Sequence, residues 1–174
     1  MSEDKPRLLI VDDEESIRSA LRRTLRRDYE IQLAASGPEA LELLKSFRPD
    51  VILSDHLMPE MTGLELVKRC RLLYPEVSRV VLTGQAEMDT VIAAINEGAV
   101  FRFLTKPWEE SELELTLHLA VEATQEARSQ REESEGESPR GERQTKAISE
   151  LERAHPGLTQ LDRNADGAII INED

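Results

Sequence analysis

Between residues 7 and 108, short aliphatic runs alternate with stretches in which apolar residues recur every three or four positions. This alternation is typical of strand–helix units repeated around a parallel sheet, and we count five such units. The predicted strands are residues 7–11, 30–34, 50–54, 79–83 and 100–104. The first, third and fourth are almost continuously Val, Ile and Leu, so we expect them to be the central strands, buried on both faces.

Helices are predicted between these strands, where the apolar spacing changes from two to three and four. Their predicted ranges are 14–27, 38–47, 63–73 and 88–97, with a fifth helix from residue 109 or 111 to about 133. Pro38 suits a first helical turn and Gly98 suits the position after the fourth helix, while Pro49 and Pro75 end the second and third. The sequence therefore predicts an α/β fold with a doubly wound, five-stranded parallel sheet.

The charge of the chain restricts its partners. The formal net charge is −13, whereas binding to nucleic acid or to an anionic membrane rests on clustered Lys and Arg. We therefore expect neither partner, and consider metal ions or basic proteins more suitable.

The single cysteine, Cys70, has no partner for an internal disulfide, and no long apolar run resembles a signal peptide or a membrane span. These features predict a cytoplasmic location.

The C-terminal part of the chain has a different composition. We predict one domain over residues 1–123 and an extension over 124–174, in which the fifth helix continues into a polar linker at about 132–143. A short amphipathic helix is predicted at 143–154.

The last residues, LTQLDRNADGAIIINED, favour a small β-hairpin with strands at 158–162 and 168–172, because Asp-Gly is a strong turn signal. A calcium-binding EF-hand loop is the alternative, since its ligand pattern is matched by Asp162, Asn164, Asp166, Gly167, Ile169 and Glu173. Pro156-Gly157 interrupts the entering helix, which opposes the calcium reading. A calcium-responsive adaptor nevertheless remains an alternative function.

Polar side chains follow four of the predicted strands. The first strand is followed by Asp12-Asp13, the third by Asp55, the fourth ends in Thr83 and the fifth is followed by Lys106. The carboxyl ends of parallel strands lie along one edge, so these residues should meet there. Clustered carboxylates repel one another unless a cation lies among them, and oxygen ligands suit Mg²⁺. We predict a magnesium site in which Asp55 is a nucleophile towards phosphorus.

Four motifs carry a resemblance to a known family. They are LLIVDDEESIRSAL, PDVILSDHLMPEMTGLEL, VVLTG and FRFLTKPW, in this order along the chain. Residues 5 to about 122 resemble the CheY-like receiver domain of bacterial two-component response regulators, which has a flavodoxin-like fold. The resemblance implies phosphorylation of Asp55 by a sensor histidine kinase or a phosphotransfer protein.

Individual roles are carried over from the resemblance. It implies that Mg²⁺ is held directly by Asp13, largely through water by Asp12, and by Asp55 and the backbone carbonyl of Leu57. It implies that Thr83 and Lys106 bind the phosphoryl oxygens, that Phe103 is the aromatic switch residue, and that the Lys106-Pro107 bond is cis.

The resulting interpretation is a phosphoacceptor switch rather than an enzyme, acting through protein contacts and without a recognisable DNA-binding domain. An aspartyl-nucleophile phosphatase is a weaker alternative, because Leu57 stands where such enzymes carry a second acid. We expect His56 to face away from the site and Cys70 to be buried and inert. The fifth helix is expected to transmit the change outward or to pair with a second copy, through Leu113, Leu117, Ala120, Thr124 and Ala127. The downstream target is open.

Overall fold

The computed structural model of the chain describes residues 4–134. Five strands alternate with five α-helices, and a 3-10 turn at Gln85–Glu87 precedes the fourth helix. The strands are β1 (Arg7–Val11), β2 (Glu30–Ala34), β3 (Val51–Asp55), β4 (Ser78–Thr83) and β5 (Arg102–Thr105). The helices are α1 (Glu15–Leu25), α2 (Gly37–Leu43), α3 (Gly63–Leu73), α4 (Met88–Asn96) and α5 (Glu110–Ser134).

All neighbouring strands are parallel, in the order β2-β1-β3-β4-β5. This order places β1, β3 and β4 at the centre, which confirms the prediction from their aliphatic composition. Every residue of β3 and β4 is buried, as expected for strands covered on both faces. The change of direction between β1 and β3 creates the crevice at which sites form in such sheets.

Apolar clusters lie on both faces of the sheet. On one face, Leu21 and Leu25 of α1 pack with Leu113 and Leu117 of α5. On the other face, two clusters contain the apolar residues of α2, α3 and α4. The doubly wound α/β architecture predicted from the sequence is therefore confirmed.

Some element ends differ from the prediction. β5 begins at Arg102 rather than at residue 100, because Val100 is buried within the connection from α4 and not within a strand. Helix α2 ends at Leu43 rather than at residue 47, although Leu44 and Phe47 are buried and continue its apolar spacing. In both places the apolar pattern marks burial, which does not distinguish an element from a buried turn.

The apolar stripe of α5 faces its own sheet. Leu113, Leu117, Ala120 and Thr124 each have an exposed fraction of 0%. The prediction that this stripe pairs with a second copy is therefore wrong for these four residues, because they are already covered by the receiver core.

The last turns of α5 make hydrogen bonds and ion pairs with residues at the amino-terminal edge of the sheet. The Thr124 hydroxyl lies 2.6 Å from the carbonyl oxygen of Asp50 and 3.0 Å from the backbone nitrogen of Ser78. The Arg128 guanidinium lies 2.7 Å from Oδ1 of Asp50, and that of Arg131 lies 3.0 Å from Oε1 of Glu76. The predicted division after residue 123 stays a prediction, and α5 is continuous across it.

The predicted linker beyond residue 134, the helix at 143–154, the hairpin and the EF-hand-like loop lie outside the described residues, and they stay predictions. Within residues 4–134, no helix combines the length and the apolar composition needed to cross a membrane.

Candidate functional site

The carboxyl ends of four strands deliver the predicted site residues to one edge of the sheet. Asp12 directly follows β1, Asp55 ends β3, Thr83 ends β4, and Lys106 directly follows β5. Parallel pairing keeps these ends level, with Asp55 opposite Leu82 and Thr83 opposite Thr105. The structure therefore brings together residues that are up to 94 positions apart, from 12 to 106, as the sequence predicted.

Three carboxylates form a compact group at this edge. One carboxylate oxygen from each of Asp12, Asp13 and Asp55 lies within 4.8 Å of the others. Asp12 is fully buried, Asp55 is 7% exposed, and Asp13 is exposed to solvent. Such a set of hard oxygen donors matches the ligands that Mg²⁺ prefers.

Lys106 is the cation that contacts two members of this group. Its Nζ lies 2.8 Å from Oδ1 of Asp55 and 3.6 Å from Oδ2 of Asp12. Burial acts to lower the pKa of Lys106, but the hydrogen bond and charge of Asp55, together with the charge of Asp12, outweigh burial and raise it. The backbone nitrogen of Lys106 also donates to the carbonyl of Thr83 at 2.9 Å. The Lys106-Pro107 bond is cis, as the resemblance implied.

Asp12 carries an oxygen that is short of partners. Its Oδ1 accepts a hydrogen bond from the backbone nitrogen of Glu14 at 2.9 Å, whereas Oδ2 is buried and accepts no hydrogen bond. Burial raises the pKa of Asp12, the Glu14 hydrogen bond lowers it, and the negative charge of Asp55 raises it further. Because an unsatisfied buried acceptor is costly, this oxygen fits a bound cation. The donor set present here therefore fits Mg²⁺.

The loop after Asp55 is shaped by close backbone packing. The backbone nitrogen of Gly63 donates to the carbonyl of His56 at 2.7 Å, and a Cβ at Gly63 would lie 2.1 Å from the carbonyl oxygen of Asp55. Only glycine fits at this position. Thr62 and Glu65 form a capping box that starts α3 immediately afterwards.

The side chain of Leu57 is 56% exposed in this loop, and metal binding by its carbonyl stays a prediction.

Thr83 and Phe103 lie on the side of the site formed by β4 and β5. Thr83 is 1% exposed, and its hydroxyl donates to the carbonyl of Gly84 at 3.2 Å, which is a long hydrogen bond. Phe103 is half-buried and packs against the cluster that contains Val81 and Val91. The position of Phe103 in β5 agrees with the prediction, and its switch role stays a prediction.

Within residues 4–134, no hydrogen bond or ion pair links His56, His118 or Cys70 to the three carboxylates. His56 is buried, and its Nδ1 has no hydrogen-bond partner within residues 4–134. His118 is exposed on α5 and lies 3.0 Å from Glu122. Cys70 is fully buried, and burial raises the pKa of its thiol to about 12, consistent with an inert side chain.

One residue of the site was missed by sequence reasoning. Nη1 of Arg18, on α1, donates to the backbone carbonyl of Asp12 at 2.8 Å. The sequence offered only a weak signal, because the helix predicted over 14–27 carries four further arginines between positions 22 and 27. The contact depends on how α1 lies against the edge of the sheet.

The fold and the site together define an α/β protein with three clustered carboxylates and a paired lysine on the carboxyl edge of a parallel sheet. The family model of the response regulator receiver domain matches residues 8–118 of the sequence. The chain therefore belongs to the response regulator receiver family, and it contains the receiver domain of a two-component system.

Two curated relatives are also similar to this chain. The chain is 38% identical over 123 residues to the hydrogenase transcriptional regulatory protein HoxA of Cupriavidus necator, a match that covers 71% of this chain and 26% of that protein. It is 37% identical over 108 residues to the response regulator MprA of Mycolicibacterium vanbaalenii, covering 62% of this chain and 46% of MprA. The chain thus spans between about a quarter and a half of the length of these relatives.

Solved structures show the same fold. A crystal structure described as an adenylate cyclase from Rhodopirellula baltica has a TM-score of 0.71 at 37% identity, and the match covers 74% of this chain and 96% of that one. The chemotaxis protein CheY4 of Vibrio cholerae has a TM-score of 0.61 at 36% identity, covering 67% of this chain and 98% of CheY4. The family and the fold class predicted from the sequence are confirmed.

Proposed function

We propose that this chain is a phosphoacceptor switch in which Asp55 accepts a phosphoryl group from a phosphohistidine of a sensor histidine kinase or a phosphotransfer protein. The convergence of Asp12, Asp13 and Asp55 around the ammonium group of Lys106 is the observation that carries this proposal. Placing three carboxylates side by side, two of them buried, is unfavourable for stability, so the arrangement is best explained by chemistry performed there.

The transfer makes one bond and breaks one. A carboxylate oxygen of Asp55 attacks phosphorus, the new O–P bond forms as the P–N bond to the donor imidazole breaks, and the electron pair of that bond stays on the imidazole nitrogen. The ammonium group of Lys106 lies 2.8 Å from Oδ1 of Asp55, where its positive charge offsets the repulsion between that carboxylate and the incoming phosphoryl oxygens. The acyl phosphate formed is labile, which suits a reversible signal.

Asp12, Asp13 and Asp55 would hold Mg²⁺, together with the backbone carbonyl of Leu57. The unsatisfied Oδ2 of Asp12 supports this ligand set. When bound, the ion supplies positive charge that offsets the charge of the phosphoryl oxygens.

The remaining site residues would respond to the phosphoryl group on Asp55. Lys106 would bind a phosphoryl oxygen, since its ammonium group already points at Asp55. The hydroxyl of Thr83 makes only a 3.2 Å hydrogen bond to Gly84, so its rotation towards a phosphoryl oxygen costs little. Phe103 would then move inward, and phosphorylation would shift the population between two arrangements of the surface near α4 and α5.

A mass measurement tests this function. Wild-type protein incubated with acetyl phosphate and Mg²⁺ should gain the mass of one phosphoryl group, and excess EDTA should greatly reduce this gain. Asp55→Asn should abolish it, whereas Asp28→Asn, the same replacement at an exposed position after α1, should not. An unmodified wild-type protein, or an equal gain in Asp55→Asn, would disprove the proposal.

A further inference from the structure

The backbone around Asp13 is held on both sides. The carbonyl oxygen of Asp12, which belongs to the peptide unit before Asp13, accepts the 2.8 Å hydrogen bond from Nη1 of Arg18. The backbone nitrogen of Glu14, which belongs to the peptide unit after Asp13, donates at 2.9 Å to Oδ1 of Asp12. Because each peptide unit is planar, fixing both units fixes the two backbone dihedrals of Asp13 and the direction of its Cβ.

The two hydrogen bonds differ in origin. The bond from Glu14 is local and is made within the turn itself. The bond from Arg18 comes from the end of the first turn of α1, and the backbone nitrogen of Arg18 donates to the carbonyl of Glu14 at 3.1 Å. Asp12 is also tied to β2, since its backbone nitrogen donates to the carbonyl of Ala34 at 3.1 Å. Asp13 is exposed, so its orientation depends on these backbone contacts rather than on packing.

We propose that Arg18 is a positioning residue for the cation site, which orients the carboxylate of Asp13 by holding the peptide unit between Asp12 and Asp13. This inference rests on the proposed function, because it assumes that Asp13 binds Mg²⁺. Residues that orient metal ligands without touching the metal commonly change its affinity by about 10-fold to 100-fold when they are replaced. Arg18 acts through one backbone carbonyl, so we expect the lower end of that range.

The sign of the effect separates positioning from simple electrostatics. Removing the positive charge of Arg18 reduces the repulsion felt by a divalent cation, so electrostatics alone predicts tighter Mg²⁺ binding in Arg18→Met. Loss of positioning predicts weaker binding. The exposed Arg22, one helical turn further along α1, provides the matched control, because Arg22→Met removes the same charge without touching the turn.

The experiment measures the dissociation constant of Mg²⁺ for the full chain by calorimetry, and independently from the rise of the thermal unfolding midpoint with Mg²⁺ concentration. We expect a constant about 10-fold higher in Arg18→Met than in wild type, an unchanged or slightly lower constant in Arg22→Met, and an intermediate value in Arg18→Lys, which keeps a charged donor. Arg18→Gln gives the same test if Arg18→Met is too unstable.

The outcomes separate this inference from the function on which it rests. If the wild-type protein binds no Mg²⁺ by either method, the proposed magnesium site is disproved, and the positioning role of Arg18 is disproved with it. If the wild-type protein binds Mg²⁺ and Arg18→Met and Arg18→Gln bind it equally well or more tightly, the positioning role of Arg18 is disproved while the proposed function stands.

Discussion

The ammonium nitrogen of Lys106 lies 2.8 Å from Oδ1 of Asp55, and 3.6 Å from Oδ2 of the fully buried Asp12. One ammonium group thus pairs with two carboxylates that β1 and β3 bring to the same edge. Since the carboxylates would otherwise repel one another, Lys106 makes the metal-free form of the site tolerable. The same residues should therefore control the stability of the protein and its response to divalent cations.

Replacing Lys106 should show that the site controls the stability of the protein. In Lys106→Met, Asp12 and Asp55 lose their cation in a buried place, so the free energy of unfolding in EDTA should fall by about 2 kcal/mol. Mg²⁺ should restore part of the loss, because it supplies positive charge to the same oxygens. Urea unfolding at pH 7, with and without Mg²⁺, measures both effects. Lys45→Met, at an exposed ion pair with Glu42, is the control and should change stability little.

The pH dependence of the Lys106 contribution follows from the direction of its pKa shift. The folded-state pKa is raised above the usual lysine value of 10.5, so the stabilisation is fully present below about pH 10.5 and is lost as the pH rises through the folded-state pKa. The difference in unfolding free energy between wild type and Lys106→Met should therefore be constant from pH 7 to about pH 10 and should shrink as the pH rises further, through the folded-state pKa. A difference that grew at alkaline pH would contradict this assignment.

Asp12 should limit stability at neutral pH. Its pKa is raised, first by burial, so its proton is bound more tightly in the folded state than in the unfolded chain. The stabilisation from this proton is fully present below the unfolded-state value of 3.8 and is lost as the pH rises through the raised pKa. Asp12→Asn should therefore raise the unfolding free energy in EDTA at pH 7 by about 1 kcal/mol, and this gain should disappear in acid.

The control for Asp12→Asn is the exposed Asp28→Asn, which should leave stability within about 0.5 kcal/mol of wild type at both pH values. Asp12→Asn should also weaken the stabilisation by Mg²⁺, since the variant removes a ligand charge. An Asp12→Asn protein that is less stable than wild type in EDTA at pH 7 would show that Asp12 is structural rather than functional.

The close approach at Gly63 gives a steric prediction. In Gly63→Ala, the new Cβ would meet the carbonyl oxygen of Asp55 at 2.1 Å, and backbone must move to relieve the contact. We expect a loss of about 2 kcal/mol or more in unfolding free energy, together with slower phosphorylation by acetyl phosphate. Gly84→Ala is the matched control, because the nearest atom to its new Cβ is Oε1 of Glu87 at 3.7 Å. Equal stability of the two variants would disprove the steric account.

The hydroxyl of Thr124 should anchor the end of α5. Thr124→Val removes the oxygen that lies 2.6 Å from the Asp50 carbonyl and 3.0 Å from the Ser78 nitrogen, while it preserves side-chain shape. The unfolding free energy should fall by about 1–2 kcal/mol, because buried backbone groups lose their partner. Thr116→Val makes the same replacement two turns earlier on α5 and should cost less. Hydrogen exchange should show faster opening beyond residue 124 in Thr124→Val only.

The outline of the fold could be predicted from the sequence because its signals are local. Apolar periodicity identified five strands and five helices, and the composition of the first, third and fourth strands placed them at the centre. The polar residues at strand ends predicted the cluster of Asp12, Asp13 and Asp55, since parallel strands present their carboxyl ends at one edge. The end of α2 and the start of β5 were misplaced, because buried turns carry the same apolar residues as the elements beside them.

Sequence alone determined which side chains are available at the site and which strands deliver them, because strand polarity and burial are encoded in neighbouring residues. Tertiary structure decided which of those side chains meet: Lys106 with both Asp12 and Asp55, Arg18 with the carbonyl of Asp12, and the apolar stripe of α5 with its own sheet. These contacts join residues on different elements, and they depend on strand order and on the placement of the helices over the sheet. Periodicity shows that a face is buried, whereas only the packed chain shows what covers it.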